Sequence, residues 1–256
     1  MSQKIFYNDN AEKFIIHKSK FNHVDVFWQA LIDVLIWNHI WKSILDYWCG
    51  SWEIAMNHLH KWADFVLWVD VSKELLLSAL KKTINKKNIE FLSIDDENYC
   101  FDKMIPDSFF DIISSYYVFC TIKDRILIEE IVKTFHKKLK GWWKVLMLMP
   151  NRNQFNWKVC YWFSFIKKNK LQEGDAVVAY LRTNDRKLPT KIKNNSSHLK
   201  LTDYFRPQNT LKDIFIAAGF QAHIHEILIE KWAYKWIIDE SNYSPIYVLE
   251  ANKTNK

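Results

Sequence analysis

Two acidic residues stand where they could bind a nucleoside. Asp46 lies in the apolar run 44–47, which leads through a short loop into a helical pattern, and Asp70 closes the apolar run 65–70. A strand, a tight loop, a helix and a second strand that ends in an acid form the nucleotide-binding half of a doubly wound sheet, where the acid accepts hydrogen bonds from two ribose hydroxyls. The spacing therefore predicts a nucleoside cofactor held by Asp70.

The surrounding pattern predicts the elements that would position these acids. From residue 43 onward, short apolar runs alternate with stretches of helical periodicity, which is typical of a parallel sheet with crossover helices. The predicted strands are 43–47, 65–70, 89–94, 110–114, 144–149, 176–181, 221–230 and 245–250, and the predicted helices are 53–61, 72–86, 124–139 and 210–218. Since crossover connections are right-handed, this order predicts an α/β doubly wound core.

The segments around this core are interpreted differently. Residues 1–42 are predicted to form a helical lead-in in which residues 8–40 form two helices, the second over about 24–40. Residues 43–256 are predicted to form a single domain, because a chain of 256 residues can bury one core of ordinary size. The alternation breaks at 151–207, which is rich in Lys, Asn, Ser and Thr. We interpret that stretch as an insertion that forms part of the substrate side.

The loop after the first strand carries a motif that resembles a known family. If the two tryptophans of residues 46–52 were glycine, the segment would read D-Y-G-C-G-S-G, and with glycine for tryptophan residues 66–72 would read V-L-G-V-D-V-S. Both segments resemble motifs of class I S-adenosylmethionine-dependent methyltransferases. Later segments resemble the other motifs of that family in the same order: 89–98, 108–115, 139–146 and 217–220. The resemblance implies a Rossmann-like, mostly parallel seven-stranded sheet with helices on both faces and an antiparallel last strand.

The resemblance also implies which residues would hold S-adenosylmethionine. Asp46 would orient the loop and reach the cofactor's amino group through water, positions 48–52 would wrap its methionine part, and Asp70 would bind the ribose. Residues after the second and third strands would flank and hydrogen-bond the adenine, and a serine of the fourth strand would lie beside the carboxypropyl group. The implied set is Asp46, Tyr47, Trp48, Cys49, Gly50, Ser51, Trp52, Asp70, Val71, Asp95, Asp96 and Ser114.

Methyl transfer from a sulfonium requires an acceptor atom in line with the methyl carbon, and positioning supplies much of the acceleration. We therefore assign no dedicated catalytic base. Ligands bind at the carboxyl edge of such sheets, so the substrate candidates follow the fourth strand or lie in the insertion: Tyr116, Tyr117, Arg152, Tyr204 and Arg206. A small-molecule acceptor is expected. The alternatives are an RNA or protein acceptor, or a catalytically inactive binding or scaffold protein of the same fold.

The tryptophan content bears directly on the cofactor loop. The chain has 13 Trp and only 4 Gly, and together these make up 17 of the 256 residues. That share is close to the ~7% of glycine in average proteins, and several tryptophans stand where the family has glycine. We interpret the tryptophans as glycines encoded by UGA in an organism that reads this codon as glycine. The alternative is a relative in which the tryptophans are genuine and the cofactor site is lost.

Composition narrows the remaining possibilities. The net charge is +7, but the basic residues are mostly scattered lysines with no arginine-rich tract, which gives little support for a nucleic-acid partner. The four cysteines form no C-x-x-C pair, and no His or Cys cluster has the spacing of a metal site, so no metal is expected. The apolar stretches are shorter than the ~18 residues that cross a bilayer, and the first twenty residues are polar. A cytoplasmic protein without membrane attachment is the expectation.

Overall fold

The computed structural model of the chain describes most of the predicted core. The described residues are 2–21, 25–36, 40–48, 50, 53–61, 63–95, 101–151, 158–159, 163–165, 171–184, 198–226 and 246–254. Eleven strands are assigned within them: β1 Ser43–Tyr47, β2 Phe65–Asp70, β3 Ile89–Ser93, β4 Phe110–Tyr116, β5 Leu139–Pro150, β6 Lys158–Val159, β7 Phe163–Phe165, β8 Ala176–Leu181, β9 Leu199–Tyr204, β10 Phe220–Glu226 and β11 Ile246–Lys253. Seven α-helices accompany them: α1 Gln3–Asp9, α2 Ala11–Phe21, α3 Asp25–Ile36, α4 Glu53–His60, α5 Lys73–Thr83, α6 Arg125–Lys138 and α7 Gln208–Ala217.

Seven strands form one sheet in the order β10-β11-β5-β4-β1-β2-β3. The five strands from β3 to β5 pair in parallel, whereas β11 runs antiparallel to both β5 and β10. The central strands are buried on both faces, which explains why they appear in the sequence as continuous apolar runs. The predicted fold class, with its antiparallel last strand, is confirmed.

The helices that follow β1, β2 and β4 begin close to their predicted positions. Ser72 caps α5 by accepting a hydrogen bond from the Leu75 backbone N–H, and Asp124 caps α6 through the N–H of Ile126. Such side-chain caps satisfy N–H groups that have no partner within the helix. The two helices predicted over residues 8–40 correspond to α2 and α3, and a helix that the sequence did not predict, α1, precedes them from Gln3.

A second, four-stranded antiparallel sheet lies between β5 and α7 along the chain. Its order is β6-β7-β8-β9, and β8 pairs with β9 along the whole length of both strands. The sequence predicted β8 with its observed bounds but none of its partners. None of the helices in the described part of the chain is long and apolar enough to cross a membrane.

Candidate functional site

A cleft opens at the carboxyl ends of β1, β2, β4 and β5, and the space between its walls, together with the open solvent at its mouth, amounts to about 880 Å³. The floor is formed by strand ends and the loops that follow them, including Gly50, Asp70 and Tyr117. The second sheet forms one wall through β8 and β9. Helices α1 and α2, which we call the roof, cover the cleft with Tyr7, Phe14, His17 and Lys18. The cleft therefore lies at the edge where doubly wound sheets bind ligands.

Asp70 joins the loop after β1 to the loop after β2 at one end of the cleft. Its Oδ1 accepts a hydrogen bond from the Ser72 backbone N–H at 2.7 Å, and its Oδ2 accepts one from the Gly50 backbone N–H at 3.0 Å. Burial raises the pKa of Asp70 to about 6, and these N–H donors oppose the rise. The carboxylate is thus held in a fixed orientation at the cleft surface, where it can accept further hydrogen bonds.

Gly50 allows the loop after β1 to approach the roof closely. Its φ is +55°, in the left-handed region, and a Cβ atom built on it would lie 2.7 Å from Cε1 of Phe14. Only glycine avoids both the backbone strain and the collision without movement of the phenyl ring. Phe14 is therefore packed directly on the backbone that donates to Asp70.

Asp46 is buried at the end of β1, beside the cleft. Its Oδ1 accepts a hydrogen bond from the Ser114 hydroxyl at 3.2 Å, and its Oδ2 has no hydrogen-bond partner among the described residues. Burial raises the pKa of Asp46 to about 8. A buried carboxyl oxygen without a partner is costly unless a water or a ligand reaches it. This oxygen fits the water-mediated cofactor contact that the family resemblance implies for Asp46.

The raised pKa of Asp46 makes the stability of the protein depend on pH. Because its folded-state pKa of about 8 exceeds the ordinary value of 3.8, Asp46 contributes stability below pH ~4 that is lost as the pH rises through ~8. We expect Asp46→Asn to remove this contribution. The free energy of unfolding, measured in urea, should therefore fall less between pH ~5 and pH ~9 in the variant than in the parent protein. The pKa of Asp70 is also raised, so the stability of both proteins still falls to some extent as the pH rises. Equal losses in the two proteins would contradict the assignment.

Trp48 occupies the floor of the cleft in a strained conformation. Its φ is +58°, and its backbone N–H donates to the Val69 carbonyl at 2.7 Å. The residue is only 7% exposed. The indole contacts the Tyr7 ring edge to face, with centroids 6.5 Å apart. The backbone of residue 48 thus follows a path that suits glycine, whereas the indole takes up space between the strand ends and the roof.

The other residues predicted to bind the cofactor are distributed more widely. The Tyr47 side chain lies in the core against Phe101 and Phe135, on the opposite face of β1 from Asp46. Val71 is also buried in that core, and Asp95 is exposed after β3 without lining the cleft. The rest lie outside the described residues: Cys49, Ser51, Trp52 and Asp96.

Of the substrate candidates, Tyr116 and Tyr117 line the cleft at the end of β4. Tyr117 has a φ of +61°, and its N–H donates to the Leu148 carbonyl at 2.8 Å. Such a strained residue in a cleft often marks a functional site. Tyr204 and Arg206 do not line the cleft, and the Arg206 guanidinium instead donates to the carbonyl groups of Ile122 and Lys123. Arg152 lies outside the described residues.

Sequence reasoning missed the roof residues of the cleft and Asp203 on β9. Lys18 places its ammonium 5.0 Å from the centre of the Tyr117 ring, and the His17 ring is buried against the end of β8. Asp203 on β9 is a buried acid that lines the same cleft. These residues are far from the loop motifs in sequence, so only long-range packing brings them to the site. Among the described residues, no group of three or more His, Cys, Asp or Glu could hold a metal ion.

Comparison with known proteins agrees with this architecture. No family model matches the chain, and no curated protein matches it by sequence. Among solved structures, an S-adenosylmethionine-dependent methyltransferase from Mesorhizobium loti has a TM-score of 0.63 at 16% identity, covering 88% of this chain and 97% of that one. One from Clostridium acetobutylicum has a TM-score of 0.58 at 9% identity, covering 93% and 94%. The DhpI–SAH complex has a TM-score of 0.60 at 13% identity, covering 99% and 96%. The chain has the fold of these proteins.

Proposed function

We propose that the protein is an S-adenosylmethionine-dependent methyltransferase. The observation that carries the proposal is the Asp70 carboxylate, which lies in the cleft at the end of β2 and accepts the Gly50 N–H from the loop after β1. An acid in this place can accept hydrogen bonds from both ribose hydroxyls of a nucleoside. The fold shared with S-adenosylmethionine-dependent methyltransferases and the motif resemblance support the same cofactor.

The cofactor would lie along the strand ends, with each residue in a separate role. Asp70 would hold the ribose, the unpartnered Oδ2 of Asp46 would bind the water that reaches the cofactor's amino group, and Ser114 would keep the Asp46 carboxyl in place through its 3.2 Å hydrogen bond. When bound, S-adenosylmethionine supplies a methyl group on a positively charged sulfur, which an acceptor atom held in line can take. The fixed floor and walls of the cleft would supply that alignment.

A small molecule is the acceptor that suits this cleft best. The roof closes over the strand ends and is tied down at three points: Gln3 Nε2 donates to the Thr121 carbonyl, Asn8 Oδ1 accepts from the Ser72 hydroxyl, and His17 Nδ1 bonds the Arg182 carbonyl. A polymer would have to displace these contacts, whereas a small molecule fits beneath them. A cleft lined mostly by apolar and aromatic side chains is typical of small-molecule sites.

The residue written at position 48 does not fit the cofactor, and we propose that glycine stands there in the functional protein. Three described tryptophans have left-handed backbones, with φ of +60° at Trp41, +58° at Trp48 and +68° at Trp142. Each of these left-handed backbone conformations lowers the stability of the fold by roughly 1 to 2 kcal/mol when the residue has a Cβ, and it costs glycine nothing. Trp41 and Trp142 recover little from burial, because their side chains are 79% and 73% exposed. Glycine at position 48 would also remove the indole from the floor of the cleft.

Two measurements test these proposals. The gene should carry UGA codons at residues 48 and 142, and mass spectrometry of peptides from the protein isolated from its own cells should show glycine at both positions. UGG codons would contradict the glycine proposal. Calorimetry with S-adenosylhomocysteine on the glycine-bearing protein should show micromolar or tighter binding. Absence of binding would favour a scaffold protein of the same fold.

A further inference from the structure

Helix α5 presents an exposed row of aliphatic side chains. The residues that it buries against the protein are Leu75, Leu76, Ala79 and Thr83. Three other residues, which we call the α5 row, are 50%, 47% and 77% exposed: Leu77, Leu80 and Ile84. Ile84 closes the helix with right-handed helical backbone angles, so the spacing of three and four residues places all three on one stripe of the helix. The α5 row therefore faces solvent.

Lysines border the α5 row. Residues 73–90 contain two glutamates and five lysines, all of the lysines exposed: Lys73, Lys81, Lys82, Lys86 and Lys87. The backbone N–H of Lys86 donates to the Thr83 carbonyl at 2.8 Å, so the chain turns at the end of the helix and keeps the last two lysines close to Ile84. The surface is thus apolar along the row and positively charged around it.

We propose that the α5 row and its lysines bind the surface of a membrane that contains anionic lipids. The aliphatic side chains would enter the boundary between headgroups and acyl chains, and the ammonium groups would lie among the lipid phosphates. Each lysine near such a surface strengthens binding about fivefold. The sequence expectation of no membrane attachment rested on apolar stretches too short to cross a bilayer, whereas surface attachment needs only one exposed face.

The residue types of this surface favour a lipid over a macromolecule. Nucleic acids are bound by arginines and by aromatic side chains that stack on bases, and residues 73–87 contain neither. The cores of protein interfaces are depleted in lysine, and leucine is rare among the residues that dominate their binding energy. A lysine carries a compact charge on a flexible stem, which suits phosphates that move within the plane of a membrane.

The charged end of this surface lies away from the cleft. Helix α5 begins after Ser72, close to Asp70 at the carboxyl edge of the sheet, and leads back to β3, which runs parallel to β2. Ile84 and the lysines that follow it therefore lie toward the opposite edge of the sheet. A protein attached by this end keeps its cleft away from the membrane. The inference is independent of the proposed methyltransferase function, and vesicle binding should leave the affinity for S-adenosylhomocysteine within about twofold.

The first test measures co-sedimentation of the glycine-bearing protein with lipid vesicles. We expect binding to vesicles of phosphatidylcholine mixed with phosphatidylglycerol and none to phosphatidylcholine alone. Raising the salt to about 0.5 M should weaken binding at least tenfold, because the screening length falls. Absence of binding to the mixed vesicles would overturn the inference. Equally tight binding to polyglutamate would do the same, since an acidic protein would then be the partner.

The second test changes the α5 row. Leu77→Gln combined with Ile84→Gln should weaken vesicle binding at least tenfold, because both aliphatic groups are removed from the lipid. Ile126→Gln combined with Ile216→Gln is the matched control, since these isoleucines of α6 and α7 are exposed to a similar extent. Equal binding by the two double variants would contradict the inference. A dimer in lipid-free solution that only the first variant abolishes would show that a second copy covers the row.

The third test changes the charge. Lys81→Gln combined with Lys86→Gln should weaken binding to the mixed vesicles about 25-fold, as two fivefold effects. Lys123→Gln combined with Lys133→Gln removes the same charge from exposed positions elsewhere and should weaken binding less than threefold. If the two pairs have the same effect, the protein binds by its net charge and not by α5. All of these substitutions lie on the surface, and circular dichroism should show every variant folded.

Discussion

Replacing Trp48 and Trp52 with glycine should turn a chain that does not bind S-adenosylhomocysteine into one that binds it with micromolar or tighter affinity. The indole of Trp48 occupies the floor of the cleft between the end of β1 and Tyr7, where the resemblance places the methionine part of the cofactor. The backbone at this position already has the φ of +58° that glycine adopts without strain. Glycine at residue 48 therefore removes an obstacle without a change in the backbone conformation of that residue. Isothermal titration calorimetry on both proteins measures the change.

Trp142→Gly is the matched control for this experiment. Trp142 has the same left-handed backbone but lies outside the cleft lining, so its replacement should raise the free energy of unfolding by roughly 1 kcal/mol and leave binding unchanged. Tight binding by the chain that keeps Trp48 and Trp52 would show that the indoles leave room for the cofactor. The steric argument and the glycine proposal for position 48 would then both fail.

Asp70→Ala in the glycine-bearing protein should weaken S-adenosylhomocysteine binding at least tenfold and also destabilise the fold. The lost affinity corresponds to charge-assisted hydrogen bonds to the ribose, which contribute roughly 1.5 to 3 kcal/mol. The lost stability follows from the N–H groups of Gly50 and Ser72, which would lose their acceptor beside the cleft. We expect about 1 to 3 kcal/mol for that loss. Calorimetry and urea unfolding measure the two effects separately.

Asp64→Ala provides the comparison, because Asp64 is an exposed acid at the opposite end of β2. It should change neither binding nor stability by more than about 0.5 kcal/mol. If Asp70→Ala binds S-adenosylhomocysteine as tightly as the parent protein, Asp70 does not hold the ribose. The expected loss of stability in Asp70→Ala rests on two backbone hydrogen bonds that the sequence spacing does not reveal.

The central sheet was predictable because local sequence determines it strongly. β1 and β2 have their predicted bounds, since both are buried on two faces and form continuous apolar runs. The second sheet was mostly missed: β6 and β7 span two and three residues, too few for a periodic signal. In the lead-in, the break between α1 and α2 falls at Asn10, which closes the first helix by bonding its side chain to the Phe6 carbonyl.

The candidate site was predictable where it follows strand ends and not where it depends on the roof. Asp46 and Asp70 were predicted because an acid at the end of the second strand can bind a ribose and because both acids lie in segments that resemble methyltransferase motifs. Phe14, His17 and Lys18 lie on a helix whose sequence shows nothing about the strand ends that it will cover. Their place in the cleft results from tertiary contacts with Gly50, Tyr117 and Arg182.

The ties of the roof also set an order of events during synthesis on the ribosome. Gln3, Asn8 and His17 bind partners 118, 64 and 165 positions later in the chain, so α1 and α2, which are synthesised before the strands, are among the last elements to find all their contacts. The strands that carry Asp46, Asp70 and Tyr116 are complete once β5 has been made, whereas the wall built from β8 and β9 follows later. A nascent chain therefore acquires the strand ends that would bind the proposed nucleoside cofactor before it acquires the walls and roof that enclose the cleft.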